Sequence, residues 1–198
     1  MDNVARKAGL IYIAFILLYS CSPIDQDSPG LYSINSLLDE QSGYLARNAS
    51  RLTKASSLGE HSDTIIVAPK NTEEWKKELE IFAVIDAINK PANKTFYTIE
   101  RHPDKKSNLS VKAFTTKESL SVQFLRLFYQ TTEEKVRRIE ANYSESNVLY
   151  SSTRLLTMEF QQIDNTMVLT SYEILGDQKM FLGDSVKYTI KGTVTLSN

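Results

Sequence analysis

The second half of the chain sets the strongest limit on the fold. From Phe96 onward apolar residues recur at every second position, the period of a strand with one packed and one wet face. Tyr97 and Ile99 start the pattern. After a polar loop over 102–108, Leu109, Val111 and Ala113 follow. Between Leu120 and Gln130 the apolar parity changes, from Leu120, Val122 and Phe124 to Leu125, Leu127 and Tyr129. A change of that kind predicts a β-bulge or burial on both faces. Ile139, Ala141 and Tyr143 form the next strand, and Leu156, Met158 and Phe160 the one after. Val168, Tyr172, Ile174, Gly176, Gln178 and Met180 line one face of a long strand, with Gly176 as a candidate kink. Gly183-Asp184 reads as a turn. Val186, Tyr188, Ile190, Gly192, Val194 and Leu196 then alternate with Lys187, Thr189, Lys191, Thr193 and Thr195, the clearest run of all. The loops are short, so consecutive strands are expected to pair as antiparallel neighbours.

The first half reads differently. Ile34, Leu37, Leu38, Leu45, Ala49, Leu52 and Ala55 fall at helical spacing and predict a helix within 31–58, ended by Gly59. Ser36-Leu37-Leu38-Asp39 is a candidate capping box, with Ser33 as a competing cap. Thr64-Ile65-Ile66-Val67 predicts a short strand stopped by Pro69. Asn71 caps a second predicted helix, with Glu74 at its N3 position. Trp75, Glu78, Leu79, Phe82, Ile85 and Asn89 share one side of it, Ile81 and Ile88 widen the stripe, and Pro91 ends it. The expected fold class is therefore α+β: two N-terminal amphipathic helices packed on a curved antiparallel meander of about seven strands, in one domain over 31–198.

The first 20 residues read as an address. Arg6 and Lys7 precede twelve apolar, aromatic or Gly residues, Ala8 to Tyr19. That run is short of the roughly 20 residues a spanning helix needs and suits a signal-peptide core. Leu18-Tyr19-Ser20-Cys21 resembles a bacterial lipoprotein signal, with Leu at −3, a small residue at −1 and Cys at +1. The chemistry requires a thiol, which is alkylated by a lipid donor before cleavage frees its α-amine for acylation. The competing readings are an ordinary secretory signal with Cys21 as a bystander, or Cys21 as a buried free cysteine. Residues 1–20 are thus expected to be removed, and 21–30 to be the lipidated Cys21 (a palmitate-type acyl site) and a flexible tether.

Composition narrows the chemistry. The chain is 41% hydrophobic, 24% charged and carries a net charge of −1. This excludes a disordered chain and gives no basic excess for nucleic acid. One cysteine excludes an internal disulfide, and lipidation would use it. The two histidines, His61 and His102, lie among polar residues and read as solvated. No Gly-x-Ser-x-Gly elbow, clustered metal-ligand spacing or phosphate loop occurs. Glu73, Glu74, Glu78 and Glu80 surround Trp75, but two of them sit where helix caps belong and Glu73 can pair with Lys77. Trp75 reads as core rather than as a ligand platform. Arg137-Arg138 is too small a patch for a polyanion. Catalytic residues, cofactor and metal are each expected to be none.

Two segments, 74–82 with 86–91, and two shorter ones, Leu149-Tyr150-Ser151-Ser152 and 172–179, resemble uncharacterised lipoproteins of Bacteroidota. Ala87 interrupts the Asp-Ile-Asn-Lys run such a match would carry. The resemblance implies an address and no activity. Asp63-Thr64-Ile65 and Asp184-Ser185-Val186 resemble the short O-glycosylation sites of the same phylum, which makes Thr64 and Ser185 candidate modification sites. The expected function is a membrane-anchored, non-enzymatic envelope lipoprotein, with outer-membrane location favoured because Asp is absent at position 22. Its partners would be the membrane through Cys21 and an envelope protein or lipid. The alternatives are a carrier holding a hydrophobic ligand in a half-barrel-like pocket and an extracytoplasmic hydrolase.

Overall fold

A computed structural model of the chain describes residues 30–48 and 51–197. Helix α1 spans Ile34–Arg47. Strands β1 (Arg51–Leu58) and β2 (His61–Val67) form a hairpin. Helix α2 (Thr72–Leu79) runs on into a 3₁₀ segment, Glu80–Asn89, and a single turn α3, Pro91–Lys94. Seven strands follow: β3 (Thr98–Pro103), β4 (Ser110–Thr115), β5 (Val122–Tyr129), β6 (Val136–Ser146), β7 (Tyr150–Ile163), β8 (Thr166–Met180) and β9 (Ser185–Thr195). All nine strands join one antiparallel sheet in the order β2-β1-β9-β8-β7-β6-β5-β4-β3.

This corrects the expected fold class. The sheet has nine strands, and the helices are not an N-terminal pair, because a hairpin separates α1 from α2. The error lies in 31–58. Its apolar spacing fits a helix throughout, but the helix ends at Arg47, and Arg51–Leu58 is a strand pairing with β9 on one side and β2 on the other. Thr53, Ser56 and Ser57 favour extended backbone or compete with helical hydrogen bonds, so pairing decides the segment. Gly59 does not end a helix. It has φ +58° and opens the two-residue turn Gly59–Glu60 of the β1–β2 hairpin, a position that suits glycine. Ser33, not Ser36, caps α1: its hydroxyl accepts from the Ser36 N–H at 3.3 Å.

The second helical region has a clear local cause. The Asn71 side chain accepts from the Glu74 N–H at 2.9 Å, and the Glu74 carboxylate accepts from the Lys70 N–H at 2.8 Å. Beyond Leu79 the apolar residues repeat every three positions: Leu79, Phe82, Ile85 and Ile88 are all fully buried. A three-residue step turns about 300° in an α-helix and about 360° in a 3₁₀-helix, so only the tighter winding keeps all four on one side. Asn89 ends this segment and fastens the chain entering the domain. Its side-chain oxygen accepts from the Leu31 N–H at 2.7 Å, and its amide nitrogen donates to the Tyr32 carbonyl at 2.7 Å and to Asp86 at 2.8 Å.

The helices cover the middle of one sheet face. Trp75, Leu79, Phe82 and Ile85 pack there with Leu125, Ile139, Leu156, Met158, Tyr172 and Ile174. Phe82 meets Tyr172 edge-on, with ring centres 5.5 Å apart. The parity change in β5 is a bulge between Val122 and Phe124, combined with burial on the second face. There Phe128 joins Val111 and Ala113 in a small cluster, with the Arg138 guanidinium 3.9 Å over the Phe128 ring. At the far end β8 leaves β9, and α1 supplies the missing partner. The buried Gln41 donates to the Met167 carbonyl at 2.8 Å and accepts from the Leu169 N–H at 2.7 Å, so one side-chain amide replaces a strand's peptide.

Candidate functional site

The helices do not cover the whole sheet face. Towards the β6–β7 and β8–β9 turns, the inward parity of four strands continues past the core. Ladder pairing aligns Tyr143, Arg154, Gly176 and Tyr188 in one row across β6, β7, β8 and β9. The next row holds Glu145, Ser152, Gln178 and Val186. Leu156, Met158 and Phe160 carry the same parity as Ser152 and Arg154, so β7 changes from apolar to polar where the helix layer stops.

Arg154 organises the first row. It donates to Glu145 at 3.0 Å, and its guanidinium lies 5.7 Å from the Tyr143 ring centre. The Tyr143 hydroxyl donates to the other Glu145 oxygen at 3.3 Å. Partial burial, then the nearby Glu145 charge, push the Tyr143 phenol above its ordinary range, so it stays a donor. On the other side of Arg154 the Tyr188 ring lies against Gly176. A Cβ at Gly176 would meet it at 2.0 Å, so this close approach requires glycine. The Ser152 hydroxyl and Arg154 Nε are buried and have no hydrogen-bond partner.

Two clefts flank these rows. One, of about 500 Å³, is lined by Ser119, Ser121, Gln123, Ser144, Glu145 and Ser152, among others. The other, of about 490 Å³, runs from Asn35 past Asp86, Asn89 and Lys90 to Ser121 and Tyr143. Ser121 belongs to both. The region offers hydroxyls, amides, a guanidinium and phenols, a surface suited to hydrogen bonding and stacking.

The residues weighed from the sequence lie elsewhere. Cys21 is outside the described residues. His61 starts β2 and His102 lies in β3, the two edge strands, with seven strands between them. His102 Nδ1 is 3.0 Å from the Pro103 carbonyl oxygen. Glu78 pairs with Lys54 of β1 at 2.8 Å, and Glu74 serves the α2 cap. Glu73 pairs with Lys76 at 3.7 Å rather than with Lys77. Trp75 is fully buried. Thr64 is exposed on edge strand β2, and the Ser185 hydroxyl donates to Asp177. Among the described residues, no group of three or more His, Cys, Asp or Glu is placed to hold a metal, and no helix is long and apolar enough to cross a membrane.

The residues of the two rows carry no motif, because they come from four strands and meet only through register. One signal was present in the sequence: polar side chains on the apolar parity of their own strands, as at Ser152, Arg154 and Gln178.

Compared with protein-family models, with curated proteins and with solved structures, the chain matches none.

Proposed function

We propose that the protein is a lipid-anchored binding module of the cell envelope, held by Cys21 and working without catalysis, most simply at the outer membrane. The address rests on Arg6-Lys7, the apolar run to Tyr19 and Leu18-Tyr19-Ser20-Cys21. The likeness to Bacteroidota lipoproteins agrees with it.

The observation that carries the binding half is the uncovered end of the sheet. There Tyr143, Glu145, Arg154 and Gln178 place a phenol, a carboxylate, a guanidinium and an amide on the inward parity of the sheet, groups suited to hydrogen-bond a partner. The carrier alternative draws less support, because Trp75, Phe82, Ile85 and Leu125 fill the space between helices and sheet. The hydrolase alternative also draws less support, because Glu78, Asp86 and a histidine do not meet in one cleft. Those carboxylates instead meet Lys54 and Asn89, and both histidines are at sheet edges.

Photo-crosslinking in intact cells tests this reading. A crosslinking side chain at Gln178, on the polar row, is compared with one at Lys191, on the opposite face, where that lysine pairs with Glu173 at 2.8 Å. Discrete adducts from position 178 alone, lost with Arg154→Ala, are expected. Equal adducts from both faces would contradict the reading.

A further inference from the structure

The β6–β7 and β8–β9 turns carry residues that turns seldom carry. Turn positions favour Gly, Asn, Asp, Ser and Pro. Here Val148 is 85% exposed, Leu149 68%, Phe181 72% and Leu182 93%, with Met180 and Val186 beside them. These are not loose chain. The Asn147 side chain accepts from the Leu149 N–H at 2.8 Å and from the Tyr150 N–H at 3.0 Å, which holds Val148 and Leu149 outward. The Phe181 N–H donates to the Leu149 carbonyl at 2.8 Å and ties the two turns into one surface. The result is a single projecting apolar patch of the kind that marks an interaction site.

The occupant follows from where the chain enters the domain. Gly30 lies against Asn89, which shares a cleft with Ser121 and Tyr143. Tyr143 is four residues before Asn147, about 13 Å along β6. From Cys21 to Gly30 the chain spans at most roughly 30 Å. That reach allows an acyl group on Cys21 to enter a bilayer that the two turns touch. The flanking charges balance, Lys179 and Lys187 against Asp177 and Asp184, so the patch is built for apolar insertion and not for anionic headgroups.

We infer that the paired turns dip into a phospholipid surface and set the orientation of the anchored domain, with Phe181 and Leu182 as the inserting side chains. The inference rests on the lipid-anchor reading. In it, the polar row of Arg154 faces the space just above the membrane.

The test uses the full chain, processed in a bacterium that lipidates proteins and reconstituted into phosphatidylcholine–phosphatidylethanolamine vesicles. Phe181→Trp reports insertion through quenching by brominated acyl chains. The native Trp75 is fully buried and gives both the unquenched baseline and a check of folding. Gln162→Trp, exposed at the opposite end of β7, is the orientation control. Quenching of Phe181→Trp alone is expected, insensitive to salt. Adding Leu182→Asp should cut the inserted population at least about tenfold, the lower end of the factor carried by transferring one leucine. Equal quenching at 181 and 162, or none at 181, overturns the inference. So does a Leu182→Asp variant that changes only a dimer seen by sedimentation. The mass of the N-terminal peptide scores the anchor separately. If Cys21 is unmodified, the anchor reading fails. Vesicle flotation then decides the turns: binding lost with Leu182→Asp supports insertion, and no flotation of the parent chain overturns it.

Discussion

Replacing Gln41 by Met tests how α1 is joined to the sheet. The substitution keeps the side chain's length and removes its amide. Two backbone groups of β8, the Met167 carbonyl and the Leu169 N–H, then lose partners at 2.8 and 2.7 Å in a site where Gln41 is 1% exposed. An orphaned buried polar group costs about 1–3 kcal/mol, so the pair costs about 2–6 kcal/mol. With a urea slope of about 2–3 kcal/mol/M for a domain of this size, the unfolding midpoint falls by about 1–3 M. The adjacent residue is the control. Ser42 is fully buried and its hydroxyl has no hydrogen-bond partner, so Ser42→Ala removes a polar atom that makes no bond. It should change stability by less than about 0.5 kcal/mol or raise it. Urea unfolding followed by Trp75 fluorescence reads both variants. Equal midpoints for the two would refute the assignment of Gln41 as the partner of β8.

Other perturbations separate further parts of the account. Gly192→Ala puts a Cβ 2.3 Å from the Tyr172 ring, which is 4% exposed and held edge-on by Phe82, so thermal unfolding should show a loss of about 1–3 kcal/mol. Gly176→Ala meets Tyr188, which is only half-buried and can swing outward, so its loss should be smaller. Burial pushes the phenols of Tyr32, Tyr97 and Tyr172 up to about 12, with Glu40 adding to the first and Glu78 to the last. Their folded values lie above the unfolded value of 10.0, so their contribution is full below that pH and is lost as pH rises towards 12. Absorbance at alkaline pH should show these tyrosines ionising together with loss of structure, and ionisation in an intact fold would contradict their burial. Asn71→Ala removes the α2 cap and should cost about 1 kcal/mol in the same urea assay.

Much of the sheet was legible because β7, β8 and β9 have one packed face and one wet one, and alternation follows from that geometry. The first forty described residues were less so. Leu45, Leu52 and Ala55 fit a helical face as well as a strand, and only pairing with β2 and β9 makes Arg51–Leu58 extended. The stripe Leu79, Phe82, Ile85 and Ile88 is visible in the sequence, but Trp75, Ile81 and Asn89 around it make its three-residue repeat look like part of a broader α-helical face. The α-helix template tolerates that spacing for two steps and fails over three. The candidate site was illegible as a motif. Tyr143, Arg154, Gly176 and Tyr188 are spread over 46 positions and become neighbours only once the registers are set. The apolar turns were readable as composition, but not as one surface, since the hydrogen bond joining Phe181 to Leu149 is tertiary.

The lipid anchor depends on the chemistry of one atom, the Cys21 sulfur. Mass spectrometry of the N-terminal peptide of the protein from its membrane fraction reads it. A lipid-anchored chain begins at Cys21 and carries a diacylglyceryl thioether, and Cys21→Ser, which offers no thiol to alkylate, leaves residues 1–20 uncleaved and the chain without lipid. A parent chain that retains residues 1–20, or one cleaved elsewhere with a free Cys21 thiol, would contradict the anchor.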